Sequence, residues 1–277
     1  MSCTGYSTAL LPLPLGGASR RMSSTNRNPL SIPMTGGVLI IAFWKLGALY
    51  VGTEVLLPGP FRVAVSLLEV VRSPGFVSAL GASSLRGAAA FFLSAVLGLI
   101  CGVAAGLSPV FRNLVKPLVI IIKSTPVMSF ILLALIWFPS GLVPVFVSVL
   151  MAFPIIYENV VAGIRNADPR LIEMARVYRV PRRRILGSIL LPGIYTYFSA
   201  GARTALGIIW KAVIAAEILS RPEAAVGSAM YEAKIYIETA EVIAWTVIAV
   251  LLSALSEFLL GRSSRLFTGI RRGGGVL

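Results

Sequence analysis

The chain has 277 residues, of which 57% are hydrophobic and only 13% charged, and its formal net charge is +14. That composition excludes a soluble domain, which would expose far more charge, and the length leaves no room for a second large domain beside one membrane domain. The charge does not point to nucleic acid, because the basic residues stand in short stretches beside apolar runs, where the preference of cytoplasmic loops for Lys and Arg accounts for them. Histidine is absent, which removes His-based catalysis and His metal ligands. Cys3 and Cys101 form no disulfide framework. No G-x-x-x-x-G-K-[ST] stretch is present, so the chain carries no phosphate-binding loop of its own. No cofactor and no nucleic-acid partner are expected, and no clustered carboxylate pair inside the spans offers an enzyme site.

In chain order, residues 1–35 are rich in Ser, Gly, Pro and Leu and read as a disordered cytoplasmic tail. Its apolar run is broken by Pro12 and Pro14, and Arg20 and Arg21 follow it instead of preceding it, so it makes a poor signal peptide. Either translation begins at Met22, which leaves Arg27 as an inside-positive anchor, or the first 21 residues are a genuine extension. The block 36–84 holds a first span, 36–51, with Trp44 and Lys45 inside it, then an external segment with Pro58-Gly59-Pro60 and an interfacial helix over 63–71.

The block 85–261 holds the remaining spans. The second, 85–107, is rich in Gly and Ala, which suits close helix packing. Residues 108–123 carry Arg112, Lys116 and Lys123 and belong on the cytoplasmic side. The third span is 125–138, with Pro126 near its start, and the fourth is 142–161, interrupted by Pro154. Pro126, Pro139, Pro144 and Pro154 shape a gate there or are tolerated packing kinks. Glu158 and Asn159, at the inner end of the fourth span, pair with loop arginines or face solvent. The fifth span lies within 189–219, an external net-negative segment covers 221–241, and the last span is 242–260. Residues 262–277 form a basic cytoplasmic tail. The charge then sorts with both termini inside.

The loop 165–192 is the most highly charged window. Seven arginines, at 165, 170, 176, 179, 182, 183 and 184, face only Asp168 and Glu173. Asp168-Pro169 reads as a helix start, with the carboxylate capping free N–H groups and Pro in the first turn. Leu171, Met174, Ala175 and Tyr178 recur at i, i+3, i+4 and i+7, one helical face. Val180-Pro181 interrupts that helix, and Pro181 opens a second, basic one.

Here Glu173-Met174-Ala175 and Ile189-Leu190-Leu191-Pro192 stand at the spacing of a known motif. The segment resembles the EAA loop (E-A-A, three residues, G, nine residues, I-x-L-P) of the permease subunits of ABC importers. Met174 replaces the middle Ala, and Arg179 stands where the family has Gly. A Gly would take a left-handed turn there without strain; Arg does so at about 1–2 kcal/mol or the turn differs. The resemblance runs from about residue 83 to 261, and runs such as STPVMSFILLALIWF and AAEIL are similar to the nitrate, sulfonate and taurine branch.

The resemblance implies an all-α, multi-pass protein of the cell membrane with about six transmembrane helices and the type I importer permease fold. It implies as partners two cytoplasmic ATPases, a second permease chain in a homodimer, an external substrate-binding protein and the lipid bilayer. It places Asp168, Leu171, Glu173, Met174, Ala175, Tyr178, Arg179 and Pro192 in the loop that couples to the ATPase. The apolar face there docks into an ATPase groove or rests on anionic lipid. Lys45, Arg203, Lys211 and Glu217 are ionisable at membrane depth, where charge is costly. They line a cationic path for an anionic solute, or they are structural, through a Lys211–Glu217 pair or snorkelling of Arg203. The branch implies nitrate, a sulfonate or taurine as solute, with a thiamine-precursor pyrimidine as the competitor; a channel or carrier working without ATP would not need the EAA loop.

Overall fold

The computed structural model describes residues 31–273, with side chains from 36 to 262 except those of Arg176, Arg182, Leu186 and Ile189. The tail 1–30, the choice between Met1 and Met22 and the basic side chains at the C-terminus lie outside the described residues. The chain divides into two units, residues 1–43 and 44–277. Helix α1 spans Ser31–Val51, and in the first unit its Val38, Leu39, Ile40, Ile41 and Phe43 are exposed.

In the second unit every further element is helical: α2 (Pro60–Arg72), α3 (Phe76–Leu107), α4 (Pro109–Ser124), α5 (Val127–Trp137), α6 (Val143–Arg165), α7 (Pro169–Val177), α8 (Arg182–Ile185), a π-helical stretch (Leu186–Leu190), α9 (Leu191–Ser220), α10 (Val226–Ile235) and α11 (Thr239–Gly273). Three described helices are long and apolar enough to cross a membrane: α3, α6 and residues 239–262 of α11. A fourth is available if α4 and α5 count as one broken span. Helices α1 and α9 occupy the places of the first and fifth expected spans. The apolar run of α1 is short, and α9 carries Arg203, Lys211 and Glu217 along its length.

The third expected span differs from a straight 125–138 helix. Helix α5 has 11 residues, which rise only about 16 Å against the ~30 Å of a bilayer core. It meets α4 at an angle of 101°. The cause is Thr125-Pro126, both extended, with ψ near 132° and 136°. Proline lacks the N–H the helix needs and forces its predecessor out of helical geometry. The stretch 108–123, read above only as a cytoplasmic loop, is the helix α4, capped by the Ser108 hydroxyl accepting from the Phe111 N–H. Helix α3 begins nine residues before the expected 85, directly after the break at Ser73-Pro74-Gly75.

The core is the packing of α6 between α3 and α9. Gly98, Gly102 and Gly106 of α3 face Ile156, Val160 and Ile164 of α6. A Cβ on Gly102 would stand 2.7 Å from the Val160 Cβ, closer than side chains approach. Small residues at every fourth position let the two backbones meet, and branched residues fill the groove so formed. Ile209 and Val213 of α9 close the same cluster and are fully buried. A second cluster gathers Val70 of α2, Ala79 of α3, Val226 of α10 and Trp245 of α11.

Candidate functional site

The loop between α6 and α9 forms as its residues dictate. The Arg170 N–H donates to the Asp168 carboxylate at 2.9 Å, so Asp168 caps α7. The helix ends in a left-handed residue, Arg179, with φ 49°. The Val180 N–H reaches back to the Ala175 carbonyl at 2.9 Å, closing the six-to-one bond of a Schellman motif. The place that glycine holds in the EAA motif is thus a true left-handed turn, taken here by arginine. Pro181 follows, and its carbonyl accepts from the Arg184 N–H at the start of α8. Pro192 sits in the first turn of α9, where a missing N–H costs nothing.

The apolar face of α7 divides. Ala175 is 4% exposed and turns into the chain, whereas Leu171, Met174 and Tyr178 are 44%, 52% and 76% exposed. Val177, which lies off the predicted stripe, is also exposed. Glu173 is exposed. Helix α7 has no substantial packing against another helix among the described residues. A nine-residue helix that buries so little of its apolar surface against the described residues gains little from the hydrophobic effect there.

The four membrane-depth charges are not brought together. Lys45 is exposed on α1, and Arg203 and Lys211 are exposed on α9. Arg203 donates to the Gly261 carbonyl of α11 at 3.4 Å. Glu217 is fully buried, and its partner is not Lys211. Six residues along a helix place two side chains about 120° apart, so that pair cannot close. Instead Glu217 accepts from the Arg86 guanidinium at 3.0 Å, from the Ser83 hydroxyl at 2.8 Å and from the Gly227 N–H at 3.1 Å. Arg86 also donates to the Ala224 carbonyl, and the Val226 N–H donates to Ser83. One buried carboxylate therefore ties α3, α9 and the start of α10. Gly227 belongs to that knot sterically, since a Cβ there would lie 2.5 Å from the Glu217 Cβ.

Sequence reasoning missed Ser83 and Arg86. Their only signal was an arginine at the edge of an apolar run, and nothing local links them to a glutamate 131 residues away. Of the two alternatives for Glu158, loop arginines or solvent, the first is not seen among the described residues: the half-exposed carboxylate accepts from Lys123 of α4 at 2.9 Å on both oxygens. Asn159 donates to the Ile155 carbonyl of its own helix.

Comparison with known proteins is consistent with this geometry. The family described as binding-protein-dependent transport system inner membrane component matches residues 94–268. The taurine transport system permease protein TauC of Escherichia coli strain K12 is 28% identical over 192 residues, 67% of this chain and 70% of that one. The putative aliphatic sulfonates transport permease protein SsuC of Bacillus subtilis strain 168 is 29% identical over 221 residues, 79% and 80% of the two chains. The nitrate import permease protein NrtB of Synechococcus elongatus is 26% identical over 224 residues, 73% and 77%. Among solved structures, the crystal structure of an amino acid ABC transporter with histidines superposes with a TM-score of 0.51 at 16% identity, covering 70% of this chain and 92% of that one. At that identity the likeness establishes the fold.

Proposed function

Since the chain belongs to the binding-protein-dependent transport system inner membrane components, we propose that it is the permease subunit of an ATP-driven importer and that α7 is its coupling helix. A separate cytoplasmic ATPase receives the exposed face of Leu171, Met174 and Tyr178 in a groove, with Glu173 beside it and Asp168, Arg179 and Pro192 fixing the helix in place. Two such chains form the path, an external binding protein delivers the solute, and closure of the ATPases turns the cavity from one side of the membrane to the other. The chain performs no bond chemistry.

The observation that carries the reading is the exposed, well-capped and otherwise unpacked α7 inside the EAA-like run. The solute is a small oxyanion of the nitrate, sulfonate or taurine type, a reading supported by the names of the relatives. Arg203 and Lys211, both exposed and about 80° apart around α9, and Lys45 on α1 are the cations proposed to meet it. Glu217, engaged by its own partners, stays out of that path.

Leu171→Asp and Met174→Asp test the docking. Ala175 is the poorer probe, because its burial would confound docking with folding. A charge in a groove that expects an apolar side chain leaves the protein inserted but lowers solute-stimulated ATP hydrolysis at least tenfold, about 1.4 kcal/mol or more of lost docking. Unchanged recovery of the ATPase with normal uptake would sink the assignment.

A further inference from the structure

Beside the start of α7, between α4 and α6, lies an open cavity of about 720 Å³, within the range of small-ligand pockets. It is lined from α4 by Arg112, Asn113 and Lys116 and from α6 by Tyr157, Glu158 and Arg165. The spacing explains the convergence. Arg112 and Lys116 are i and i+4, and Glu158 and Arg165 are i and i+7, so each helix turns one face into the space.

The charge inside is unbalanced. Glu158 is the only carboxylate in the lining, and Lys123 already engages both its oxygens at 2.9 Å. Arg112, Lys116 and Arg165 have no hydrogen-bond or ion-pair partner among the described residues. Arg112 is half-buried. Three cations that share a cavity repel one another, and their clustering serves no hydrogen bond or ion pair among the described residues. Two guanidinium forks and an ammonium around one space are donors without acceptors of their own, the complement of a multi-oxygen anion.

We propose that this cavity is an oxyanion site, taking a sulfate-, sulfonate- or phosphate-like group between Arg112, Lys116 and Arg165. Arg165 closes α6 three residues before the Asp168 cap, so a bound anion ties α4 to the base of the coupling helix. The group is either a free oxyanion or the phosphate of an anionic lipid. Both present the same chemistry, and the test separates them. It needs neither transport nor ATP hydrolysis, so its outcome is independent of the coupling reading.

The full chain is placed in nanodiscs of phosphatidylcholine and titrated with radiolabelled inorganic sulfate. Saturable binding displaced by inorganic phosphate is expected, weakened about tenfold or more by each of Arg112→Gln, Lys116→Gln and Arg165→Gln. Lys234→Gln, far along the chain on α10, leaves it unchanged. In a second arm, phosphatidylglycerol is added and retained lipid is counted by native mass spectrometry. No sulfate binding, but a phosphatidylglycerol held by the parent and lost from the three Gln variants, assigns the site to a headgroup phosphate. If the three Gln variants, folded by thermal unfolding, change neither sulfate binding nor lipid retention, the site does not exist.

Discussion

The two ends of α9 are held in opposite ways. At its far end, Glu217 is buried and bonded to α3 and to the start of α10, and Arg221 closes the helix with a left-handed cap. At its near end, α7 and α8 are fixed, among the described residues, by local caps and the buried Ala175, and leave Leu171, Met174, Val177 and Tyr178 in the open. The 30 residues between them span about 45 Å. One end is complete within the chain; the other has its shape specified but its apolar surface unburied. A helix locked at one end and presented at the other carries displacement, because packed cores switch as bodies and do not bend continuously.

The largest effect that could break this contrast is one of sidedness. If the ends lie on opposite faces of the membrane, a cysteine introduced as Arg183→Cys, with the native cysteines removed, reacts only from the cytoplasm, and Glu232→Cys only from outside. The loop arginines and the acidic residues around 232–241 motivate the expectation. The reverse labelling would overturn the orientation, and labelling of both from one side would end the opposition of the two ends.

Next in size is the knot itself. Arg86→Ala strands Glu217 with a buried charge, a loss of about 3–5 kcal/mol. Thermal unfolding in detergent should show a large drop in midpoint, and Arg86→Met with Glu217→Leu together should recover much of it. Ser83→Ala removes a neutral donor and should cost about 1–2 kcal/mol. An Arg86→Ala drop no larger than that of Ser83→Ala would mean that the ion pair does not lock this end.

The sequence was legible where chemistry is local and silent where it is not. Asp168 as cap and the break before Pro181 follow from neighbours within a few residues, and each formed; the turn at Arg179, which the resemblance left open between a left-handed arginine and another geometry, is left-handed. The Ser83–Glu217 and Arg86–Glu217 contacts join residues separated by more than 130 positions, and no periodicity encodes such a pairing. The α4–α5 bend fell between these cases. Pro126 was visible, but whether a proline kinks a span or breaks it depends on what takes over the lost hydrogen bonds. On α7, the i, i+3, i+4, i+7 pattern found a face but did not show which member turns inward; that was decided by Ala175, the smallest of the four.

A third test acts on the body that carries the locked end. Gly102→Leu forces a side chain into Val160, and overpacking of that kind costs about 1–3 kcal/mol. The unfolding midpoint should fall, while Met174→Asp leaves it unmoved. Equal drops for the two would show that α7 is as integral to the fold as the α3–α6 contact and would dissolve the contrast.

The smallest effect sharpens the exposed end. Arg179 holds φ 49°, where an L-residue other than glycine is strained by about 1–2 kcal/mol. Arg179→Gly removes that strain but gives the unfolded chain more freedom, which returns about 0.5–1 kcal/mol. The balance favours the variant by up to about 1.5 kcal/mol, a factor of up to about ten in the local opening equilibrium. Global unfolding would miss it, because α7 has so little packing to lose. The readout is hydrogen exchange at the Val180 amide, whose bond to the Ala175 carbonyl closes the turn. That amide should exchange several-fold more slowly in Arg179→Gly, with the amides of α6 unchanged. Exchange as fast as in the parent would mean that the left-handed turn is not the strained element at the base of this end.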